Sequence, residues 1–139
     1  MDKNTLSILI HAPISAVFDF TLDPKNTPRW ISSIQKEWTN EWPPKIGTVY
    51  RQKLGIKRKT MESAIVITGF QKNKQLDFHL VDGTYTCSYR YWQNKKGTWL
   101  TYTEENGVGQ QLVSPMKMKN LQTLKALIET QPVRTRQHK

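Results

Sequence analysis

The chain has 139 residues, 37% of them hydrophobic, and its 21 Lys and Arg against 11 Asp and Glu give a formal charge of +10. That length suits a single domain with one core, or with a core that encloses a cavity. No apolar run is long enough to span a bilayer, a single cysteine excludes an intrachain disulfide, and one Cys with three scattered His argues against a structural zinc site.

Five Trp, five Tyr and four Phe make up in buried area for the modest apolar fraction. The N-terminal MDKNTLSILIHAP lacks a signal-peptide layout, and with the unpaired Cys87 this predicts a cytoplasmic protein. The basic residues are partly clustered: Arg51, Lys53, Lys57, Arg58 and Lys59 around one hairpin, and Arg134, Arg136 and Lys139 in the tail. Two readings stand. One is attraction to phosphate, in nucleic acid or on an anionic surface. The other, favoured, is a solvated face that aids solubility. Neither an RNP-type motif nor a recognition helix accompanies the charge.

In chain order, Leu6, Ile8 and Ile10 alternate with Ser7, Leu9 and His11 and predict a strand with one buried face. Pro13 suits the first position of a helix carrying Ile14, Val17, Phe18 and Leu22, and Asp23-Pro24 ends it. A second short helix is predicted from Thr27-Pro28, carrying Trp30, Ile31 and Ile34. Proline-rich Glu41 to Pro44 is a connection. Strands follow from Gly47 to Lys53, Thr60 to Phe70, Leu76 to Leu80, Thr84 to Trp92 and Thr98 to Glu105, with turns at Asn73-Lys74, Asp82-Gly83 and Asn94 to Gly97. From Ser114 to Thr130, Met118, Leu121, Leu124, Leu127 and Ile128 recur at helical spacing. Ser114-Pro115 reads as its start and Pro132 as its end, giving a helix of roughly 24 Å. The layout is α+β: one apolar helix facing a run of antiparallel strands joined by hairpins. Residues 1–131 read as the domain and 132–139 as a basic tail.

ILIHAPISAVFDFTLDPKNTPRW resembles the opening of START-like (SRPBCC) proteins, a superfamily that includes polyketide cyclase/dehydratase and lipid-transport proteins, birch-pollen-allergen-like proteins and Hsp90-activator-like domains. The matching places are Ala12-Pro13, Val17-Phe18-Asp19, Asp23-Pro24, Pro28, Trp30 and Gly47-Thr48, joined by Gly97-Thr98 and the last helix. The resemblance spans the chain to about Thr130. It implies a helix-grip fold, a curved seven-stranded antiparallel sheet around the C-terminal helix, with a cavity between them for apolar molecules. Only some members of the superfamily are enzymes.

On such a fold, strand parity puts Leu100, Tyr102 and Glu104 on one face of the last strand, and Tyr85, Cys87, Tyr89 and Tyr91 on one face of its neighbour. With Met118 and Leu121 from the helix, these are the candidate ligand-binding residues. Tyrosines offer a ligand an apolar ring and an orienting hydroxyl, but they also suit ordinary sheet positions. Glu104 is a weak candidate for acid–base work if it points inward; the favoured alternative leaves Glu104 and Glu105 in water at a strand end. Cys87 reads as a small buried hydrophobe, His79 as an outward polar-face residue, His11 as a surface or capping residue and Trp30 as a packing residue.

No glycine-rich phosphate loop, metal-ligand spacing or nucleophile triad is present, and no cofactor is implied. The leading expectation is a non-enzymatic protein that holds a small hydrophobic or aromatic ligand. A cyclase/dehydratase-like enzyme using Glu104 and a tyrosine is the second reading. An interaction protein, associated with a chaperone, RNA or the ribosome through its basic surface, is the third.

Overall fold

The computed structural model describes residues 2–107 and 110–131. The basic tail with Arg134, Arg136 and Lys139 lies outside the described residues. The elements are β1 (Lys3–Ile10), α1 (Ile14–Leu22), α2 (Thr27–Trp30), β2 (Ile34–Thr39), β3 (Val49–Ile56), β4 (Lys59–Gln71), β5 (Gln75–Leu80), β6 (Tyr85–Asn94), β7 (Gly97–Asn106) and α3 (Met118–Glu129). All seven strands form one antiparallel sheet in the order β1-β7-β6-β5-β4-β3-β2.

Hairpins explain most of this order, because a short turn leaves the next strand only its predecessor's edge to pair with. β1 is the exception: α1 and α2 carry the chain across to the far edge before β2 begins. β7 then returns to pair with β1, in register from Lys3 opposite Glu105 to Ile10 opposite Thr98. Gly97 begins β7 with φ +148°, and a Cβ there would collide with the carbonyl oxygen of Ile10, so only glycine permits this approach to β1.

β2 differs from the expectation, which placed Ile34 on the second helix and saw no strand at Ile34–Thr39. A bulge between Ile34 and Lys36 puts Ile34 and Glu37 on the same buried face, three residues apart. With a carboxylate at the second inward position, the segment shows no apolar alternation.

The concave face of the sheet meets α1, α2 and α3 around one core. Leu121, Leu124 and Ile128 of α3 are buried, each contributing about 1.5–3 kcal/mol by removal from water. Polar contacts fix both ends of this helix. Asn120 Nδ2 donates to the Trp30 carbonyl at 3.0 Å, while Lys125 Nζ reaches the Leu9 carbonyl at 2.8 Å and Glu129 accepts from the His11 amide at 2.7 Å.

The helix is shorter than predicted. Ser114 and Pro115 precede it, Lys117 is extended at φ −112°, ψ 154°, and Asn120 Oδ1 accepts from the Lys117 amide at 3.0 Å. Met118 is therefore the first helical residue, 36% exposed, rather than part of the buried stripe. Leu121→Ala or Leu124→Ala is expected to lower stability by about 2–5 kcal/mol, and Met118→Ala by less than about 1 kcal/mol, in urea unfolding. Equal losses at Leu121 and Met118 would contradict this packing.

Candidate functional site

A cavity of about 730 Å³ opens between the concave sheet face and the elements above it. Its floor comes from inward side chains of β2 to β7, among them Tyr50, Ile65, Phe78, Leu80 and Tyr89. Its roof is α2, the stretch from Leu112 to Lys117, and the first turns of α3 at Lys119, Asn120 and Thr123. The stripe of Leu121, Leu124 and Ile128 is not part of the lining. It seals one half of the interior, and the cavity occupies the other.

Besides the exposed Glu62, two buried carboxylates stand in this lining, and neither has an ion-pair partner among the described residues. Glu37 accepts from the Thr27 hydroxyl at 2.5 Å and from Gln52 Nε2 at 2.6 Å. Burial pushes its pKa from 4.5 up to about 7; the two hydrogen bonds oppose that rise and the charge of Asp23 adds to it. Near neutral pH this group exchanges a proton inside an apolar chamber.

Glu104 is 3% exposed and is held differently. Its Oε2 accepts from Asn4 Nδ2 at 2.9 Å and from the Met116 amide at 2.5 Å, and its Oε1 accepts from the Tyr85 hydroxyl at 2.7 Å. The Tyr102 hydroxyl lies 3.2 Å from that of Tyr85 and extends the network. Three protein donors therefore occupy the carboxylate, which ties β1, β6, β7 and the start of α3 together. The expectation that Glu104 sits in water at a strand end is corrected: the strand continues past it to Asn106, and its parity is inward. Glu105 does face solvent.

The cavity brings together Tyr85, Cys87, Tyr89, Tyr102 and Glu104 of the predicted residues. Tyr91, Leu100, Met118 and Leu121 lie outside its lining. Tyr91 and Leu100 pair with each other nearer the closed end of the sheet. There Tyr91 packs on Phe18 and shares a 2.6 Å hydrogen bond with Thr21. Leu121 belongs to the sealed half, and Met118 points outward from the first helical turn.

Burial, reinforced by the Glu104 charge, pushes the Cys87 thiol up to about 12, so it stays a neutral side chain. Tyr89 lines the cavity, and its hydroxyl makes no hydrogen bond among the described residues. Burial raises its pKa well above the usual phenol value, and the Glu37 charge is among the lesser causes. Trp30 is buried, packs edge-on against Tyr89 at 6.4 Å, and leaves its indole nitrogen without a partner. His79 bonds the Leu80 carbonyl, and the His11 ring nitrogen lies 3.0 Å from the Lys96 carbonyl. Among the described residues no group of three or more His, Cys, Asp or Glu is arranged to hold a metal ion, and no helix is long and apolar enough to cross a membrane.

Sequence reasoning missed the Glu37 cluster. The signal within reach was Gln52, which shares strand parity with Tyr50 and Leu54 and so had to face inward with them. Its partner needed the register of a strand the pattern concealed.

No family model matches the sequence, and no curated protein matches it. Solved structures do match in shape. Protein CV1439 from Chromobacterium violaceum aligns over 94% of this chain and all of its own, with TM-score 0.73 and 14% identity. Ara h 8.0201 aligns over 93% of this chain and 98% of its own, with TM-score 0.69 and 13% identity. The Polyketide_cyc-like protein Cgl2372 from Corynebacterium glutamicum aligns over 77% of this chain and 66% of its own, with TM-score 0.58 and 24% identity. The chain has the helix-grip fold of the START-like superfamily. In this example of the START-like fold, Gly47-Thr48 does more than open a strand: the buried Thr48 hydroxyl donates to Glu41 at 2.7 Å and fastens the β2–β3 connection.

Each carboxylate gives a prediction. An acid whose folded pKa exceeds its unfolded one contributes full stability below the unfolded value and loses it as pH climbs to the folded one. For Glu37 that window runs from 4.5 to about 7 and corresponds to about 3 kcal/mol. Glu37→Gln is expected to remove most of this decline, read as the difference between wild type and variant in urea unfolding at either side of the window. Parallel declines would show that Glu37 titrates as an ordinary carboxylate. Glu104→Ala strands three donors and is expected to destabilise by about 3 kcal/mol or more. It should also speed hydrogen exchange at the Met116 amide, with Glu104→Gln intermediate. An unchanged Met116 rate would remove Glu104 from the role of clasp.

Proposed function

We propose that the protein binds a small, uncharged, largely apolar or aromatic molecule in the cavity. The observation that carries this reading is the chamber itself: about 730 Å³, walled by Ile65, Phe78, Leu80 and tyrosine rings, within the range of small-molecule sites. Affinity comes from removing ligand surface from water. Tyr89 supplies an unengaged hydroxyl, and Glu37 a carboxyl that near pH 7 both donates and accepts. Two carboxylates inside and cations only toward the rim, at Arg29, Lys117 and Lys119, disfavour an anion in the depth of the chamber.

A second reading, an enzyme of the cyclase/dehydratase kind, draws support from Glu37 rather than from Glu104. The three donors on Glu104 leave it poorly placed to take a substrate proton, whereas Glu37 titrates where a general acid or base is most effective.

Titration with a neutral naphthylamine fluorophore is expected to give saturable binding of one molecule per chain. Ser63→Phe, which adds bulk to the cavity wall at a half-buried position, should weaken it by roughly tenfold or more while leaving the unfolding midpoint nearly unchanged. Tyr89→Phe should weaken a hydroxyl-bearing analogue by roughly fivefold and leave its hydrocarbon counterpart unaffected. Fluorophore binding that ignores Ser63→Phe would place the probe elsewhere and end this reading.

A further inference from the structure

We infer that the open end of the molecule docks on an anionic lipid bilayer, where the cavity exchanges its guest with the membrane surface. This rests on the cavity being a binding site. Strand direction brings the β3–β4 tip, the β5–β6 turn and the stretch before α3 to one end of the sheet. The cavity reaches the surface at this end, because its lining includes Met61 and Val113, which are 48% and 68% exposed. Val81, in the β5–β6 turn, is 65% exposed.

The β3–β4 hairpin projects beyond its neighbours. Pairing of β4 with β5 begins at Ile65 opposite Leu80, and pairing of β3 with β2 stops at Leu54 opposite Ile34. Val81 still bonds the Ala64 carbonyl at 3.2 Å, but from Ser63 outward to Lys59 β4 has only β3 beside it, an arm of about 13 Å. Its tip carries Lys57, Arg58 and Lys59. Both central residues of the turn, Lys57 (φ 52°) and Arg58 (φ 67°), hold the left-handed conformation for which Asn-Gly is the common choice. Two cations stand there instead. Lys117 and Lys119 line the other side of the mouth. None of these five cations is in an ion pair among the described residues. Asp2, Glu62, Asp82 and Glu105 share this end, with Lys3 beside them, but do not balance these cations.

Aliphatic side chains set among lysines and arginine suit the headgroup region of an anionic bilayer. Single-stranded nucleic acid would call for exposed aromatic rings to stack on, and the exposed apolar residues of this end are Met61, Val81, Val113 and Met118. The opposite end also has cations, at Lys72, Lys74 and Lys95, and exposed Trp42 and Ile46, but none of these lines the cavity. The two ends therefore make an internal control.

The test is co-sedimentation of the full chain with phosphatidylcholine vesicles, with and without phosphatidylglycerol. Wild type should sediment only with the anionic vesicles and be released by added salt. Combined Lys57→Glu, Arg58→Glu and Lys59→Glu should reduce association by roughly tenfold or more. Lys72→Glu, Lys74→Glu and Lys95→Glu together change net charge equally and should reduce it far less. Lys117→Glu with Lys119→Glu, across the mouth, should act like the tip variant. Equal losses at the two ends, no association of wild type, or retention by single-stranded DNA without vesicle binding would each overturn the docking surface. Fluorophore binding without vesicles separates the two ideas. The tip variant should keep it, and a wild type that binds vesicles through its tip but no fluorophore would sink the cavity reading and leave the docking surface supported.

Discussion

The constraint behind the architecture is a mismatch of length between one helix and the sheet that holds it. α3 has twelve residues, a rod of about 18 Å, whereas the thirteen residues of β4 span about 43 Å. A helix of that size covers only part of the concave face. Leu121, Leu124 and Ile128 fill the part it covers, down to Leu100 and Tyr91. The remainder is roofed by a four-residue helix and an extended stretch, neither of which carries enough side chain to fill the space. The cavity follows from that shortfall rather than from any special lining.

The helix starts late because Lys117 is extended and its amide donates to Asn120 Oδ1 at 3.0 Å. Glu104 accepts from the Met116 amide and the Asn4 side chain donates to the Met116 carbonyl at 2.9 Å, which anchors the residue before that cap to β7 and β1. A helix begun at Ser114, as the capping signal suggests, would lengthen the rod into the space now open. The cap at Lys117, next to a residue that Glu104 anchors, therefore sets how much of the sheet is left uncovered.

This explains which features were legible in the sequence. Periodicity reports contacts that repeat along one element, so the Leu121–Leu124–Ile128 stripe and the inward run of Tyr85, Cys87 and Tyr89 could be read directly. Met118 matches the same period but lies at the boundary set by the extended Lys117 and its Asn120 cap, and periodicity cannot see that. Glu37 escaped for a related reason: a bulge changed the period of β2 at the position where a carboxylate replaces an apolar residue. Fold-level features and the inward face of β6 and β7 were legible because they repeat along whole elements; the Glu37 cluster was not, because it turns on a few contacts distant in sequence.

The same two carboxylates show why shape alone leaves chemistry open. Ara h 8.0201 and a Polyketide_cyc-like protein share this fold with the present chain at low identity, and a shared fold does not fix the chemistry of the side chains it carries. Here one acid is consumed by structure and the other is left near its titration point. The clasp at Glu104 and the mouth between Met61 and Val113 lie at the same end of the sheet. The bonds that hold Met116 beside that mouth come from β1 and β7, so Glu104 links the rim of the cavity to the packing of the fold.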